Sequence, residues 1–116
     1  MSGKVDIEIT QSASFGFAFD YLAADNSPID LSGHVFAMQI RPEVGGPIQA
    51  TLSTANGKIT WNPGTGRFVC SLTPTDTAAM QLDGAGVYDL FSRALSNTDA
   101  ERIIYGDVIF NRSVTR

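Results

Sequence analysis

The side chains best suited to catalysis at neutral pH are scarce in this sequence, which contains one histidine, His34, and one cysteine, Cys70. A Ser/His/Asp triad would have to include His34. That residue follows Gly33, and no nucleophile-elbow sequence stands near it. We therefore interpret His34 as a surface or half-buried side chain. Cys70 alternates with Phe68 and Leu72, a pattern that predicts a small buried side chain in a strand rather than a nucleophile.

Sites built from metal ligands or carboxylates are no better supported. A single His and a single Cys exclude structural zinc, which needs several such ligands. Asp20, Asp25 and Asp30 lack the compact alternation of an EF-hand loop, and we interpret them as turn formers. Asp6 and Glu8 share one strand face, where acids usually discourage edge-to-edge aggregation. A hydrolase that uses two carboxylates stays open as a minor alternative, but the sequence predicts no catalytic residue, no metal and no cofactor.

Phosphate groups and nucleic acids are poor candidate ligands. Charged residues make up 17% of the chain and the net charge is −4, with the eight Lys and Arg residues scattered along it. Binding to a phosphate backbone usually needs clustered positive charge. The glycine clusters at 45–46 and 64–66 lack the Lys-Ser/Thr and the helix that follow a phosphate-binding loop, so they are interpreted as turns.

Alternating apolar residues predict an all-β chain. The 116 residues fit one domain, because domains of roughly 100–150 residues are the commonest. Asn56-Gly57 is the best hairpin signal. Thr73 or Thr75 can cap one short helical turn near 75–80, with Pro74 suited to its start. The expected strands, about eight in number, are residues 5–9, 15–21, 34–41, 48–52, 59–61, 68–72, 86–95 and 102–112.

The order of these motifs resembles a set of small tail-region proteins of bacteriophages and prophages, almost from end to end. The resemblance is carried by residues 9–15 (ITQSASF), 27–33 (SPIDLSG), 38–41 (MQIR), 45–47 (GGP), 56–60 (NGKIT), 72–77 (LTPTDT), 87–90 (VYDL), 106–108 (GDV) and 114–116 (VTR).

This resemblance implies an immunoglobulin-like antiparallel β-sandwich of about seven or eight strands, similar to the N-terminal domain of phage baseplate upper proteins. It implies a non-enzymatic structural subunit of the virion, in the tail, neck or baseplate region, with no active site. The expected partners are other phage structural proteins, with homo-oligomers formed by closed symmetry and without nucleic acid or membrane. The protein would be made in the host cytoplasm, since no signal-peptide core and no apolar run of about 18 residues is present.

We expect such a subunit to dock through exposed strand edges and terminal arms. Residues 1–4 and 112–116 are the candidate arms, which would become ordered on assembly. The candidate contact residues within them are Ser2, Gly3, Lys4, Arg112, Val114, Thr115 and Arg116.

A carbohydrate- or receptor-binding module is the alternative function. Trp61, Tyr21, Tyr88 and Tyr105 could supply stacking faces for a sugar. The alternation around Trp61 favours core or cross-strand packing for that ring, which weakens this alternative.

Overall fold

In the computed structural model, which describes residues 3–29, 31, 33–94 and 100–112, the chain forms nine strands and one short helix. The strands are β1 (Gly3–Lys4), β2 (Ile7–Thr10), β3 (Phe15–Asp20), β4 (His34–Arg41), β5 (Ala50–Ser53), β6 (Ile59–Asn62), β7 (Arg67–Leu72), β8 (Ala85–Ala94) and β9 (Ala100–Asn111), and the helix is α1 (Pro74–Ala78).

The strands form two sheets. The large sheet has the order β1-β9-β8-β4-β5, with β2 also paired to β9, and the small sheet has the order β3-β7-β6. An immunoglobulin sandwich places its second, fifth and fourth strands in one sheet and its third, sixth and seventh in the other. Counting β1 and β2 as one first strand and β5 as an inserted strand, the chain has this arrangement. The predicted immunoglobulin-like β-sandwich is therefore confirmed.

The N-terminal segment departs from the antiparallel expectation. Gly3 and Lys4 pair in parallel with Ile104 and Tyr105, and β2 pairs in parallel with the end of β9. The predicted flexible arm at 1–4 is thus a paired strand at Gly3 and Lys4. Residues 1–2 lie outside the described residues.

One buried face from each sheet forms the core. The small sheet is held to the large sheet by a group of rings, in which Phe68 stacks on Phe19 at 5.0 Å and meets Phe36 edge-on at 4.8 Å. Trp61 packs against Phe36 and Phe68, as the sequence predicted. Antibody domains have a disulfide between the two sheets at this place. This chain has a single cysteine, Cys70, and cannot form one, so the rings fill the space between the sheets.

The short helix follows its predicted capping. Thr73 accepts a hydrogen bond from the Asp76 backbone N–H, and the Asp76 carboxylate accepts one from the Thr73 backbone N–H, so both open amides are satisfied. Pro74 stands in the first turn. The helix ends at Ala78, two residues earlier than predicted. No helix in the described part of the chain is long and apolar enough to cross a membrane.

Candidate functional site

The outer face of the large sheet combines charged, aromatic and apolar side chains on adjacent strands. Strands β4, β8 and β9 run side by side, and their outward side chains form cross-strand rows. The rows, in the order β4, β8, β9, are Arg41-Val87-Asp107, Gln39-Asp89-Tyr105, Ala37-Phe91-Arg102 and Val35-Arg93-Ala100. We call this surface the large-sheet face.

Two adjoining clefts cross this face. One, of about 280 Å³, is lined by residues that include Arg41, Asp89, Arg102 and Tyr105. The other, of about 430 Å³, extends toward Phe91 and shares Arg41 and Asp89 with the first. Large apolar side chains are exposed around them, Val35 and Phe91 among them, and Phe91 is 38% exposed. Aromatic and Arg side chains beside exposed apolar groups are the usual composition of protein-binding surfaces.

A bulge in β9 places two of these side chains on the face. Leu90 faces Ile104 whereas its neighbour Phe91 faces Arg102, so β9 contains one extra residue at this point. Ile103 and Ile104 are consequently both buried. The Arg102 guanidinium lies 3.9 Å from the centre of the Tyr105 ring, in cation–π contact. Nothing in the alternation of the sequence indicated this bulge.

Arg41 holds the loop between β4 and β5, which borders the large-sheet face. Its guanidinium donates to the Gly46 carbonyl oxygen and, at 2.9 Å, to the Gln39 side-chain oxygen. The loop in turn leaves Val44 91% exposed next to the smaller cleft. A bound partner would therefore meet a large apolar side chain on a loop that is tied to the sheet.

The two residues with the most catalytic potential have structural surroundings. His34 is half-buried, and its Nδ1 lies 3.0 Å from the Leu31 carbonyl oxygen. Cys70 is buried, and its burial raises the pKa of the thiol to about 12, so the thiol stays protonated at neutral pH. Both interpretations from the sequence are confirmed. Within the described residues, no group of three His, Cys, Asp or Glu side chains could hold a metal ion.

The acidic residues considered in the sequence have local partners. Asp6 accepts from the Asp107 backbone N–H and Glu8 accepts from the Asn111 side chain. Arg67 donates to both carboxylate oxygens of Asp20, and this hydrogen bonding lowers the pKa of Asp20. Asp25 accepts from the Ser27 backbone N–H, which confirms its role as a turn former. Asp30 lies outside the described residues.

The candidate arm residues lie at different points along β9, with Lys4 beside Tyr105 in the middle of the strand and Arg112 directly after its last residue. Lys4 lies 3.7 Å from Asp107, and Arg112 lies 3.6 Å from the exposed carboxylate of Asp83. Ser2, Val114, Thr115 and Arg116 lie outside the described residues, so their predicted contacts stay predictions.

The four rings considered for sugar stacking do not share one surface. Trp61 packs against the core, and Tyr88 is buried with its hydroxyl donating to the Val5 carbonyl oxygen at 2.5 Å. Tyr105 is on the large-sheet face beneath Arg102, whereas Tyr21 follows the end of β3 in the small sheet.

Comparisons with known proteins give no family for this chain. No protein-family model matches the chain, and no curated protein matches it. One similar structure is a chain from the crystal structure of ICOS in complex with ICOS-L and an anti-ICOS-L VNAR domain, at 9% identity and a TM-score of 0.41. The match covers 97% of this chain but only 56% of that one.

A second similar structure comes from work on parallel homodimers of the extracellular domains of the voltage-gated sodium channel beta4 subunit. It is 10% identical with a TM-score of 0.37, and the match covers 96% of this chain and 95% of that one. Because both TM-scores are low, the immunoglobulin-like assignment rests on the strand order described above.

Proposed function

We propose that this chain is a non-enzymatic structural subunit of a bacteriophage virion, from its tail, neck or baseplate region, that works through contacts with other protein subunits. The observation that carries the proposal is the large-sheet face, on which Phe91 and Val35 stand exposed beside a band of charged and amide groups. Such a face suits a protein partner better than a small substrate, because its clefts are open on a flat sheet rather than closed around a cavity.

The surroundings of the reactive side chains support a role without catalysis. A nucleophile needs a base within hydrogen-bond reach. His34 lies at the start of β4 beside the Leu31 carbonyl, whereas Cys70 is buried in the centre of β7. Each residue has a place in the fold, His34 beside a backbone carbonyl and Cys70 in the core, and these positions support the proposal.

The virion role is supported by the resemblance in the sequence. Several segments that carry it have structural duties here: residues 72–77 contain the capping box of α1, and residues 56–60 contain the Asn56 and Gly57 of the β5–β6 turn. The resemblance to phage tail-region proteins in these segments is therefore a resemblance in fold and in the structure of the connecting loops. The partners that follow are other phage structural proteins and further copies of the chain.

The test is co-purification with the proteins encoded by the neighbouring reading frames, comparing two matched variants. Phe91→Asp places a charge on the large-sheet face, and Val69→Asp places one on the outer face of the small sheet, where Val69 is 40% exposed. We expect Phe91→Asp to weaken binding to the partner by at least about tenfold, since central aromatic residues dominate interfaces. Val69→Asp should bind as the unchanged protein does.

Both variants should keep the circular dichroism spectrum and melting temperature of the parent within a few degrees, because each substituted side chain is already partly in solvent. Equal binding by both variants would remove the large-sheet face from the proposal. If purified virions contain no copy of the chain by mass spectrometry, the structural role itself is wrong.

A further inference from the structure

The small sheet has an edge that the fold leaves open. Constant-type immunoglobulin domains place the first strand beside the second, in the order A-B-E-D. Here the first strand, β1 and β2, pairs with β9 instead, so β3 has β7 on one side and no described strand on the other. The open side of β3 is therefore the position that a further strand would take.

The register identifies the groups on this open side. The backbone N–H of Tyr21 donates to the Gly66 carbonyl oxygen. Every second residue before Tyr21 therefore also bonds to β7 through its backbone, namely Phe19 and Phe17. Because bonding directions alternate along an antiparallel strand, the backbone N–H and C=O groups of Gly16, Ala18 and Asp20 point to the open edge.

The edge of β5 at the far side of the large sheet is protected in a way that β3 is not. The Asn56 side chain accepts from the Ser53 backbone N–H and donates to the Thr51 carbonyl, each at 3.0 Å. This amide occupies two of the backbone groups that an added strand would use, one donor and one acceptor. In contrast, β3 is six residues long and contains no Pro and no Lys, and its only charge, Asp20, is already paired with Arg67.

Gly16 leaves the outer face of β3 without a side chain beside the open edge. A β-carbon at this position would have no atom within 4 Å, and the backbone angle is one that any residue adopts. Glycine weakens a strand interior, and at this position a larger side chain would meet only open space on the outer face. Nothing within the described chain requires a glycine there.

We propose that β3 pairs antiparallel with β3 of a second copy of this chain, about a twofold axis at Ala18. In this register Ala18 faces its own copy, Gly16 faces Asp20, and Phe17 faces Phe19. All the free edge groups of the three positions are then bonded. The half-buried rings of Phe17 and Phe19 form cross-strand aromatic pairs, which stabilise antiparallel sheets.

Charge and strand length favour this register over the two other centres that keep the same hydrogen-bonding positions. A pairing centred on Asp20 would set two carboxylates directly opposite each other, which is unfavourable. Centring on Ala18 separates them by four residues, or about 14 Å at roughly 3.4 Å per residue, beyond the Debye length of about 8 Å at physiological salt. A centre at Gly16 would leave Phe19 and Asp20 without partners. The copy is thus complementary to itself only around Ala18.

Disulfide trapping tests the register directly. Ala18→Cys puts two thiols opposite each other in a hydrogen-bonded pair, where the Cα atoms are about 5.5 Å apart, within the range that a disulfide spans. Gly16→Cys is the matched control on the same strand, since its two thiols would be about 14 Å apart. Cys70 does not interfere, because it is buried.

We expect mild oxidation to convert Ala18→Cys to a covalent dimer at a rate at least about tenfold above that of Gly16→Cys, because only the first pair meets the geometry. Equal rates in the two variants, cross-linking of Gly16→Cys alone, or no dimer in either would overturn the proposal.

A charge test distinguishes this edge from the opposite edge of the small sheet. Ala18→Lys sets like charges opposite each other on the axis, whereas Thr60→Lys places the same charge on exposed β6. Light scattering over a concentration series should show loss of dimer in Ala18→Lys only. Loss in Thr60→Lys alone, or a monomer throughout for the parent protein, would contradict the twofold pairing of β3.

The biological meaning of this dimer rests on the proposed role in assembly. Its tests use only the purified chain, however, whereas the tests of the virion role use the neighbouring gene products and the particle. Failure of the β3 pairing therefore leaves the large-sheet face as the docking surface, and failure of the virion role leaves the pairing intact.

Discussion

The two outer faces of the sandwich are built by the same alternation and yet present different chemistry. The large-sheet face carries long side chains, such as Arg102, Tyr105 and Phe91. On the small sheet the outward positions of the six-residue strand β3 include two very small residues, Gly16 and Ala18. One face offers side chains to a partner, and the other leaves its backbone accessible at the edge.

This difference shows that a flat sheet provides two independent ways of making contacts. Side chains on a broad face give selectivity for one partner shape, because a few central residues dominate the binding energy. Backbone groups at an edge give a regular ladder whose register is set by the neighbouring side chains. The predictions below test whether the two sheets also differ in what stabilises them.

The largest effect is expected at the ring group that joins the small sheet to the large one. Phe68→Ala removes a fully buried ring that contacts Phe19, Phe36 and Trp61. The free energy of unfolding should fall by about 3–5 kcal/mol, as is usual for a buried aromatic residue. Urea denaturation followed by Trp61 fluorescence measures it.

Val69→Ala is the adjacent control, because this side chain points outward from the same strand. It should cost less than about 1 kcal/mol. Similar losses for the two variants would show that the rings do not anchor the small sheet.

A smaller effect is expected where the N-terminal segment runs beside β9. A β-carbon on Gly106 would collide with the Val5 carbonyl oxygen, which also accepts from the Tyr88 hydroxyl. Gly106→Ala should lower the free energy of unfolding by about 2–3 kcal/mol through overpacking. Thermal and urea unfolding check this.

Gly16→Ala provides the contrast in the small sheet. Its β-carbon meets open space, so the isolated chain should be unchanged or more stable by up to about 1 kcal/mol. Equal losses of stability in the two glycine variants would show that the close contact with Val5 does not explain the glycine at position 106.

The smallest effect is expected at the ion pair that joins the start of β6 to the helix. Lys58 Nζ lies 2.5 Å from the Asp76 carboxylate, and this hydrogen bond, followed by that from Thr73, lowers the pKa of Asp76. Asp76→Asn should cost about 1 kcal/mol at pH 7, since the pair is partly exposed. The control is Asp83→Asn, which alters a fully exposed carboxylate and should have little effect.

The pH dependence follows from the lowered pKa. The stabilisation by Asp76 is fully present above the unfolded carboxyl pKa of about 4 and is lost as the pH falls through the lower folded value. The difference between the parent and Asp76→Asn should therefore shrink toward zero near about pH 2. A difference that is constant from pH 7 to that pH would contradict the charge-based account.

Much of the fold followed from alternation and turn residues. Phe36, Met38 and Ile40 predicted β4, and Thr73 with Pro74 predicted the start of the helix, because these signals act within a few residues. The parallel pairing of Gly3 and Lys4 could not be predicted, since it depends on β9, about 100 residues later.

The surface was harder to predict than the core. Alternation shows that Phe91 points away from Leu90, but it does not show which strands lie beside it. The bulge that turns Arg102 and Tyr105 to the same face inserts one residue into β9, and such insertions depend on pairing geometry rather than on local sequence. The hydrogen bonds of the Asn56 side chain to the edge of β5 likewise depend on the geometry of the turn as well as on residue type.

The burial of Cys70 makes the reactivity of its thiol a measure of how often the core opens. In the closed sandwich the thiol is shielded from solvent and remains protonated, with a pKa of about 12. A thiol reagent can therefore modify it only in molecules in which the core around Cys70 has opened, locally or completely. Because the chain has no second cysteine, the rate of that modification reports how often this part of the core opens.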